Sequence, residues 1–480
     1  MGLTSSLFSG VSGLAALGNS MTVIGDNIAN VNTVGFKSSR VLFQDILSQT
    51  VATQSGSAQV GRGTALGDVT AAFDQGSFES TESATDLAIG GEGFFIVRDP
   101  NNSENQFYTR AGSFRFDKDG NFVNPAGYVV RGWQLARNTQ TGDVEDIGSI
   151  TDIKLANFTS PPETTDSIKI IANLDAKGND NTTGGATALS GVWDGDPTLT
   201  SHIGDTAYEY QTTIKVYDSL GSTHDVTIYF DNTDTDNLYE FIVTCNPAED
   251  ERVGFAADVG RGLLGRGTLQ FTSGGILGNT AMTFERLDAP ATWTAQDPAT
   301  DLTNQHFTFG PDFLGGAGTA MAVELNFGTA FNGANWVPDS LSTTQFSSAS
   351  TTVFQTATGY GAGDLQSISV DVDGAITGQY SNGQVTPLFR VALAKFQNSQ
   401  GLFKEGGNLF RATRNSGEST TGKPGANGLG SLASNSLEQS NVDISNEFVK
   451  MITAQRGFQA NSKIVTTVDT MLSDVINMKR

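Results

Sequence analysis

Apolar residues recur at heptad spacing at both ends of the chain. In the first segment, two apolar seams run through residues 3–31, with Gly10 in the one gap. This spacing predicts an amphipathic helix with coiled-coil periodicity and with Thr4 or Ser5 as its N-cap. The seam residues are Leu3, Leu7, Leu14, Leu17, Met21, Ile24, Ile28 and Val31.

A matching apolar pattern spans residues 444–475 and predicts a second long helix. Ser440 and Asp443 precede it and fit a Ser-x-x-Asp capping pattern. Lys479 and Arg480 place positive charge at its C-terminal end, where the helix dipole favours it. The apolar positions of this helix are Ile444, Phe448, Met451, Phe458, Val465, Val468, Leu472 and Val475.

Four glycines, Gly10, Gly13, Gly18 and Gly25, lie inside the first predicted helix. Each costs a helix about 1 kcal/mol relative to alanine, so this helix is not expected to hold alone in water. A single apolar stripe would favour a helix packed on its own domain core. Two heptad stripes at opposite ends favour termini that meet each other and then meet other copies of the chain.

A run of amides follows the first helix in the segment DNIANVNTVGFKSSR, residues 26–40. Gly35 suits a helix C-terminus, and Asn27, Asn30 and Asn32 suit an irregular exit from it. We predict that these four residues cap the backbone and make subunit contacts. A solvated loop is the alternative.

The chain between the ends shows strand patterns. Residues 48–72 and 411–440 are small and polar and predict extended connectors. The flanking segments alternate apolar and polar residues around predicted hairpin turns. These turns are Asp119-Gly120, Ala126-Gly127, Asp373-Gly374 and Asn382-Gly383.

The predicted fold class is mainly β, with outer domains nested in one chain. An α-helical coiled-coil domain formed by the paired terminal helices completes it. The predicted boundaries are residues 1–35 and 437–480 for the helical domain, 36–72 and 411–436 for the connector, 73–150 and 350–410 for the first β domain, and 151–349 for an outer β insert of one or two domains.

Composition narrows the choice of partners. The 480 residues carry a net charge of −23, and a surface so acidic repels nucleic acid and anionic membranes. Cys245 is the single cysteine and lies in a strand pattern, so we expect a buried, inert thiol. We find no apolar run near membrane-spanning length and no basic and apolar start typical of a signal peptide, so neither membrane insertion nor a cleaved signal is predicted.

The sequence offers no constellation for catalysis. The three histidines, His202, His224 and His306, have no Gly-x-Ser-x-Gly neighbour and no zinc-ligand spacing. The segment DNTDTDN, residues 231–237, is better explained as a solvated acidic turn than as a cation site. We therefore predict that the protein is not an enzyme and that it binds no cofactor and no metal.

Both ends of the chain resemble a known family. The segment SGLAALGNSMTVIGDNIANVNTVGFK resembles the N-terminal signature shared by the rod and hook axial proteins of the bacterial flagellum. SNVDISNEFVKMITAQRGFQANSKIVTTVDTMLSDVINM resembles the matching C-terminal signature, in the form closest to hook proteins. TDLAIGGEGFFIV and VYDSLGSTHDVTIYF resemble parts of the two β domains of hook proteins.

This resemblance implies a structural subunit of the flagellar hook, which self-assembles into a curved tube. The tube would act as a universal joint that transmits torque from the motor and rod to the filament. Subunits would leave the cell unfolded by type III export and reside outside the cell in the basal body-hook complex. The implied partners are further copies of the chain, the distal rod, hook cap and hook-filament junction proteins, and the export apparatus.

Two alternatives stay open at this point. A distal rod protein would share the terminal signatures, but rod proteins are shorter and lack a large β insert. An extracellular β-rich adhesin would suit the insert but gives no reason for paired terminal heptads.

Overall fold

The computed structural model of the chain describes residues 2–53, 56–102, 105–137, 143–182, 185, 187–255, 259–315 and 321–478. The chain divides into two compact units. The first unit comprises Met1–Phe158, Leu365–Tyr380 and Gln384–Arg480, and the second comprises Thr159–Asp364 and Ser381–Gly383. The second unit is therefore an insertion in the first, and the architecture is mainly β with a long helix near each terminus, as predicted.

The helices are α1 (Gly2–Ala29), α2 (Ala188–Gly191) and α3 (Ile444–Asn477). Helix α1 already includes Thr4 and Ser5, so the prediction that either residue is its N-cap is wrong. The N-cap of α3 is Asp443 rather than Ser440, because the Asp443 carboxylate accepts hydrogen bonds from the backbone N–H groups of Ser445 at 2.8 Å and Asn446 at 3.2 Å. Lys479 and Arg480 lie outside the described residues.

Helices α1 and α3 pack side by side in antiparallel orientation. A methyl group added at Gly10 would lie 3.2 Å from Val465 Cγ2, and one added at Gly457 would lie 3.0 Å from Leu17 Cδ1. One added at Gly13 would lie 2.7 Å from Asn461 Nδ2. Small residues thus let the two helices approach closely, which offsets the cost of glycine to the isolated helix.

One stretch of α1, Ser5–Ala29, is long and apolar enough to cross a membrane by length and composition. The prediction that no apolar run approaches that length is therefore wrong. The glycines and serines of α1 are neutral enough to leave its mean hydropathy high despite Asp26. In the structure this helix packs against α3, and helices of soluble proteins often meet the same criterion.

The N-terminal strands of the first unit form hairpins and part of a larger antiparallel sheet. They are β1 (Ser39–Asp45), β2 (Gln49–Thr53), β3 (Gly56–Val60), β4 (Thr64–Ala71), β5 (Phe78–Ser80), β6 (Leu87–Gly90), β7 (Phe94–Arg98), β8 (Gln106–Thr109), β9 (Arg115–Phe116), β10 (Phe122–Val123), β11 (Val129–Arg137) and β12 (Val144–Asp152).

The second unit packs a six-stranded antiparallel sheet, β15 to β20 in chain order, against a four-stranded sheet of order β21-β22-β14-β25. Its strands are β13 (Thr159–Ser160), β14 (Ser167–Asn173), β15 (Tyr210–Tyr217), β16 (Thr223–Asn232), β17 (Leu238–Cys245), β18 (Leu263–Phe271), β19 (Leu277–Ala289), β20 (Thr292–Ala295), β21 (Phe307–Phe309), β22 (Val323–Asn326), β23 (Thr329–Phe331), β24 (Trp336–Pro338) and β25 (Thr351–Ala357).

The returning chain completes the sheets of the first unit, with β27, β28, β11, β7, β8, β31 and β30 as successive neighbours. These strands are β26 (Gly363–Val370), β27 (Ala375–Tyr380), β28 (Val385–Val391), β29 (Leu393–Lys395), β30 (Phe403–Gly406), β31 (Leu409–Arg411), β32 (Thr420–Gly422), β33 (Ser431–Ser434) and β34 (Ser436–Glu438). Gly120, Gly127, Gly374 and Gly383 all have positive φ at the predicted hairpin turns.

The predicted connectors differ from the structure. Residues 39–53 and 56–71 contain two nested antiparallel pairs, β1 with β4 and β2 with β3. Strands β33 and β34 in the second predicted connector pair with β6 and β5. Strand β25, predicted in the first β domain, pairs with β14 of the second unit. The partners of β25, β33 and β34 lie far away along the chain, so composition alone indicates extended backbone without its pairing.

Candidate functional site

The predicted assembly residues lie at different depths on the helix pair. Ile24 on α1 and Val468 on α3 are buried, whereas Ile444, Phe448 and Phe458 are exposed. The side chains of Leu3 and Val475 lie outside the described residues. The remaining positions, Leu7, Leu14, Leu17, Met21, Ile28, Val31, Met451, Val465 and Leu472, are half-buried. The prediction that Val31 belongs to the first helix is wrong, because α1 ends at Ala29 and Val31 lies in the turn beyond it.

Large apolar side chains remain on the outside of the helix pair. Phe8 of α1 is 68% exposed and Ile452 of α3 is 50% exposed. Strands β1 and β4 expose further apolar side chains. A monomeric protein rarely leaves so many large apolar groups in water. The exposed members on these four elements are Phe8, Val11, Leu42, Phe43, Leu66, Val69, Ile444, Phe448, Val449, Ile452, Phe458, Ile464, Met471 and Ile476.

The segments that leave α1 and enter α3 meet at a buried ionic cluster, which we call the terminal junction: Asn27, Gly35, Lys37, Arg110, Glu438 and Asn441. At its centre is the Glu438 carboxylate, which is fully buried. It accepts a hydrogen bond from Lys37 Nζ at 2.7 Å and lies 3.3 Å from Arg110 Nη1. Its Oε1 also accepts from the backbone N–H of Gly76 at 2.9 Å. One acidic side chain therefore joins the exit from α1, the approach to α3 and the β sheet.

Burial governs the electrostatics of this cluster. It lowers the pKa of Lys37, while the ion pair with Glu438 raises it in part. Burial also lowers the pKa of the Arg110 guanidinium, and Glu438 again opposes the shift. Glu438 is therefore the counter-charge that offsets part of the cost of burying both cations. Both cations also donate to backbone carbonyls. Lys37 Nζ donates to the Asp74 carbonyl and Arg110 Nη2 to the Gly91 carbonyl, each at 2.8 Å.

Two asparagines hold the chain beside the cluster. The Asn27 side chain makes a closed pair of hydrogen bonds with Ser39, since its Nδ2 donates to the Ser39 carbonyl at 2.7 Å and its Oδ1 accepts from the Ser39 N–H at 2.8 Å. Asn27 Nδ2 also lies 3.3 Å from the Glu447 carboxylate in the first turn of α3. Asn441 accepts from the Ser38 N–H and donates to the Ala72 carbonyl, each at 2.8 Å.

The other predicted exit residues have separate roles. Asn30 Nδ2 donates to the Asp26 carbonyl at 2.9 Å and so caps the end of α1. Gly35 lies beyond the helix with φ of +70°, and its N–H donates to the Glu438 carbonyl at 2.7 Å. Asn32 is exposed. Asn30 therefore caps α1, whereas Asn27 lies inside the helix and binds the backbone of β1 instead, and the subunit contacts of these residues stay a prediction.

Replacing Asn27 by alanine should destabilise the junction by roughly 1–3 kcal/mol, because the N–H and C=O groups of Ser39 lose their partners. Asn32→Ala is the matched control, since this exposed amide should change stability by less than about 0.5 kcal/mol. Denaturant unfolding of the two variants as monomers measures the difference. Equal stabilities would show that the Asn27 bonds contribute nothing net.

Sequence reasoning missed Lys37, Arg110, Glu438 and Asn441 as functional residues. Their partners are hundreds of positions away: Lys37 and Glu438 are separated by 401 residues along the chain. An available signal was a lysine a few residues after the first helix and a glutamate a few residues before the last, in a chain with only 16% charged residues. That signal does not identify their partners.

The three histidines have separate surroundings in the structure. His202 Nδ1 lies 3.1 Å from the Asp194 carbonyl oxygen, and His306 Nε2 lies 3.3 Å from Asn326 Nδ2. His224 lies between Asp218 and Glu249 and stacks on a phenylalanine ring. Within the described ranges, no group of three or more His, Cys, Asp or Glu side chains is placed to hold a metal ion. Cys245 is buried in β17, as predicted, and burial raises the pKa of its thiol.

Paired terminal helices, tied by a buried junction to a β scaffold and carrying exposed apolar faces, define a class of self-associating structural protein. Family models agree at both ends: residues 7–37 match the flagella basal body rod protein and residues 433–478 match the flagellar basal body rod FlgEFG protein C-terminal region. Residues 88–173 match the flagellar hook protein FlgE/F/G D1 domain, and residues 188–360 match the flagellar basal body protein FlaE D2 domain.

Full-length relatives identify the family. The chain is 34% identical to the flagellar hook protein FlgE of Borreliella burgdorferi, with 99% of each chain covered. It is 30% identical to the FlgE of Escherichia coli, with 98% of each covered. A crystal structure of Helicobacter pylori flagellar hook protein FlgE2 matches 75% of this chain and 100% of that chain at 15% identity, with a TM-score of 0.43. The chain belongs to the flagellar hook protein FlgE family.

Proposed function

We propose that this protein is a structural subunit of the bacterial flagellar hook, which assembles into a curved tube and acts as a universal joint between rod and filament. Its family is one of structural proteins. The observation that carries the proposal is the apolar surface left exposed on α1, α3, β1 and β4. In a polymer, neighbouring copies would bury these side chains.

The helix pair would form the inner wall of the tube as a coiled-coil domain. The two helices contact each other through small residues, and large apolar side chains such as Phe448 and Ile452 remain exposed on the pair. The terminal junction would then carry force from the helices to the β sheets, since Glu438 and Asn441 bind both terminal segments to that scaffold.

Export and partners follow from the same proposal. The subunit would leave the cell unfolded through the type III flagellar apparatus and reside outside the cell in the hook. Its direct partners would be copies of itself, the distal rod, the hook cap and the hook-filament junction proteins. Neither nucleic acid nor a membrane would be a partner, in keeping with the net charge of −23. The match to the FlaE D2 domain over residues 188–360 favours a hook protein over a distal rod protein.

Electron microscopy of a strain that lacks the gene tests the proposal directly. We expect basal bodies with rods and no hooks, and restoration of hooks by the intact gene. Intact hooks in the deletion strain would reject the assignment.

Point variants should locate the assembly surface. Phe448→Asp and Ile452→Asp should leave the secreted monomer folded but abolish hook formation, because a charge would have to be buried between copies. Val372→Asp is the matched control, since Val372 is 71% exposed in the first unit but lies on a β turn. Hooks are counted by electron microscopy, and folding is checked by denaturant unfolding of the monomer. Normal hooks in both helix variants would exclude this face of α3 from the contact.

A further inference from the structure

Two carboxylates face each other inside the second unit. Asp231 on β16 and Glu240 on β17 are direct cross-strand partners in the six-stranded sheet. Asp231 is 0% exposed and Glu240 is 2% exposed. Directly opposite side chains on one face lie about 5 Å apart, and like charges at this distance repel.

Both carboxylates bind residues 180–182 and 187–193, which we call the covering segment. Asp231 Oδ1 accepts from Asn181 Nδ2 at 2.7 Å, and Asp231 Oδ2 lies 3.1 Å from both the N–H and the hydroxyl of Thr182. Glu240 Oε1 lies 2.8 Å from the same Thr182 hydroxyl and accepts from the Leu189 N–H at 3.1 Å. These donors are all neutral. The one hydroxyl hydrogen of Thr182 serves one carboxylate at a time, so the pair lacks a donor when both acids are ionised.

The covering segment protects an apolar face of the sheet. Leu189 is fully buried against Ile242, Leu263 and Leu287, and Trp193 packs in the same cluster. A cavity of about 250 Å³ lies between Ser190, Gly191 and Trp193 on the segment and Leu263, Leu287 and Trp293 opposite. Release of the segment would open this cavity and expose the apolar cluster.

We propose that the Asp231–Glu240 pair is a pH-dependent latch, which holds residues 180–182 and 187–193 on the sheet while the pair retains a proton and loosens when that proton is lost. The release transfers the proton from the pair to water. No covalent bond changes, and no added ligand is required.

The raised pKa values of the two carboxylates agree with the argument from their geometry. Burial raises the pKa of Glu240 to about 7, and Asp231 and Asp180 add to that shift. Burial also raises the pKa of Asp231. Arg266 of β18, in register with Ile242, is already bound to Glu285 and to Ser190. The ionisable groups on the neighbouring elements are Asp175, Asp180, Glu209, Asp234, Arg266 and Glu285.

The pH window follows from the two states. In the closed state Glu240 titrates near 7, whereas a released Glu240 would titrate near its ordinary value of 4.5. Opening therefore releases a proton between these values, and the opening constant should rise about tenfold per pH unit. Below about 4.5 and above about 7, both states carry the same charge at Glu240 and the constant should level off.

Hydrogen exchange of the full-length monomer, followed by mass spectrometry, tests the latch. Protection factors of peptides that contain Thr182 and Leu189, corrected for intrinsic exchange, should fall about fortyfold from pH 5 to pH 7 and by less than about twofold more to pH 8. Glu240→Gln keeps the acceptor oxygen but cannot ionise, so its protection should vary far less with pH. Asp225→Asn on β16, whose carboxylate is exposed and paired with Lys215, should keep the wild-type profile.

Two results would overturn the proposal. One is wild-type protection at Leu189 that does not change between pH 5 and pH 7. The other is the wild-type pH dependence persisting in Glu240→Gln. If that variant fails to fold, the test is made on the wild-type chain alone. The pH dependence of protection at Leu189 is then compared with that at Ile228 in β16. Loss of protection at both residues together would indicate unfolding of the unit rather than release of the segment.

Discussion

Replacing Glu438 by glutamine is expected to lower the free energy of unfolding of the first unit by about 3–5 kcal/mol. Glutamine can still accept the Gly76 N–H, but it leaves Lys37 and Arg110 buried without their counter-charge. Removing one member of a buried ionic cluster is strongly destabilising, because the remaining charges stay buried without a partner. Replacing the whole cluster by apolar residues would often change stability little. Denaturant unfolding of the full-length monomer, read by hydrogen exchange in peptides of the first unit, measures the loss.

Two comparison variants identify the cause. Glu405→Gln removes the carboxylate of an exposed pair with Arg411 in the same unit, and should cost less than about 1 kcal/mol. Lys37→Met should cost less than Glu438→Gln, because Glu438 keeps Arg110 as its partner. If Glu438→Gln were no more harmful than Glu405→Gln, the junction would not depend on its buried charge. We also expect Glu438→Gln to reduce the number of hooks on cells, since the terminal segments lose their attachment.

Replacing Gly35 by alanine is expected to prevent the terminal junction from closing. Gly35 has φ of +70°, which costs a residue with a side chain roughly 1–2 kcal/mol. The added methyl group would lie 2.5 Å from the Ala111 backbone nitrogen and 2.6 Å from the Arg110 carbonyl carbon. Either backbone must therefore move, and the movement would displace Arg110 from Glu438. A loss of at least about 3 kcal/mol in the first unit and an absence of hooks should result.

Gly127→Ala is the control that separates backbone strain at positive φ from the steric clash of an added methyl group. Gly127 has a similar φ of +87°, but a methyl group there meets open space. This variant should lose about 1 kcal/mol and still form hooks. Stability is measured by denaturant unfolding and assembly by electron microscopy. If the two alanine variants behaved alike, the close approach of Gly35 to Ala111 would have no consequence.

Local patterns predicted much of the secondary structure. Heptad spacing located α1 and α3, and alternation located strands such as β16 and β17. The glycines of the predicted hairpins take the positive φ that such turns need. These features depend on residues a few positions apart, which is why the sequence is sufficient for them.

The candidate site was predicted only in part. Asn27 and Asn30 were recognised as capping residues, and both make backbone hydrogen bonds. The buried ionic partners were not recognised, because Lys37 and Glu438 lie at opposite ends of the chain. Likewise, residues 231–237 were predicted to be a solvated acidic turn, and this is wrong for Asp231, which is buried in β16 opposite the equally buried Glu240.

By itself, the sequence determined two terminal helices, nested β domains and an acidic surface. It also contained the signatures that indicate the flagellar axial family. Only the tertiary structure decided which stripe of each helix is internal: small residues such as Gly13 and Gly457 lie in the seam, while Phe448 remains outside. Periodicity shows which residues lie on the same face of a helix. Which faces of α1 and α3 contact each other depends on where the two backbones can approach most closely. The same holds for the terminal junction, because its charges are paired by folding rather than by position in the chain.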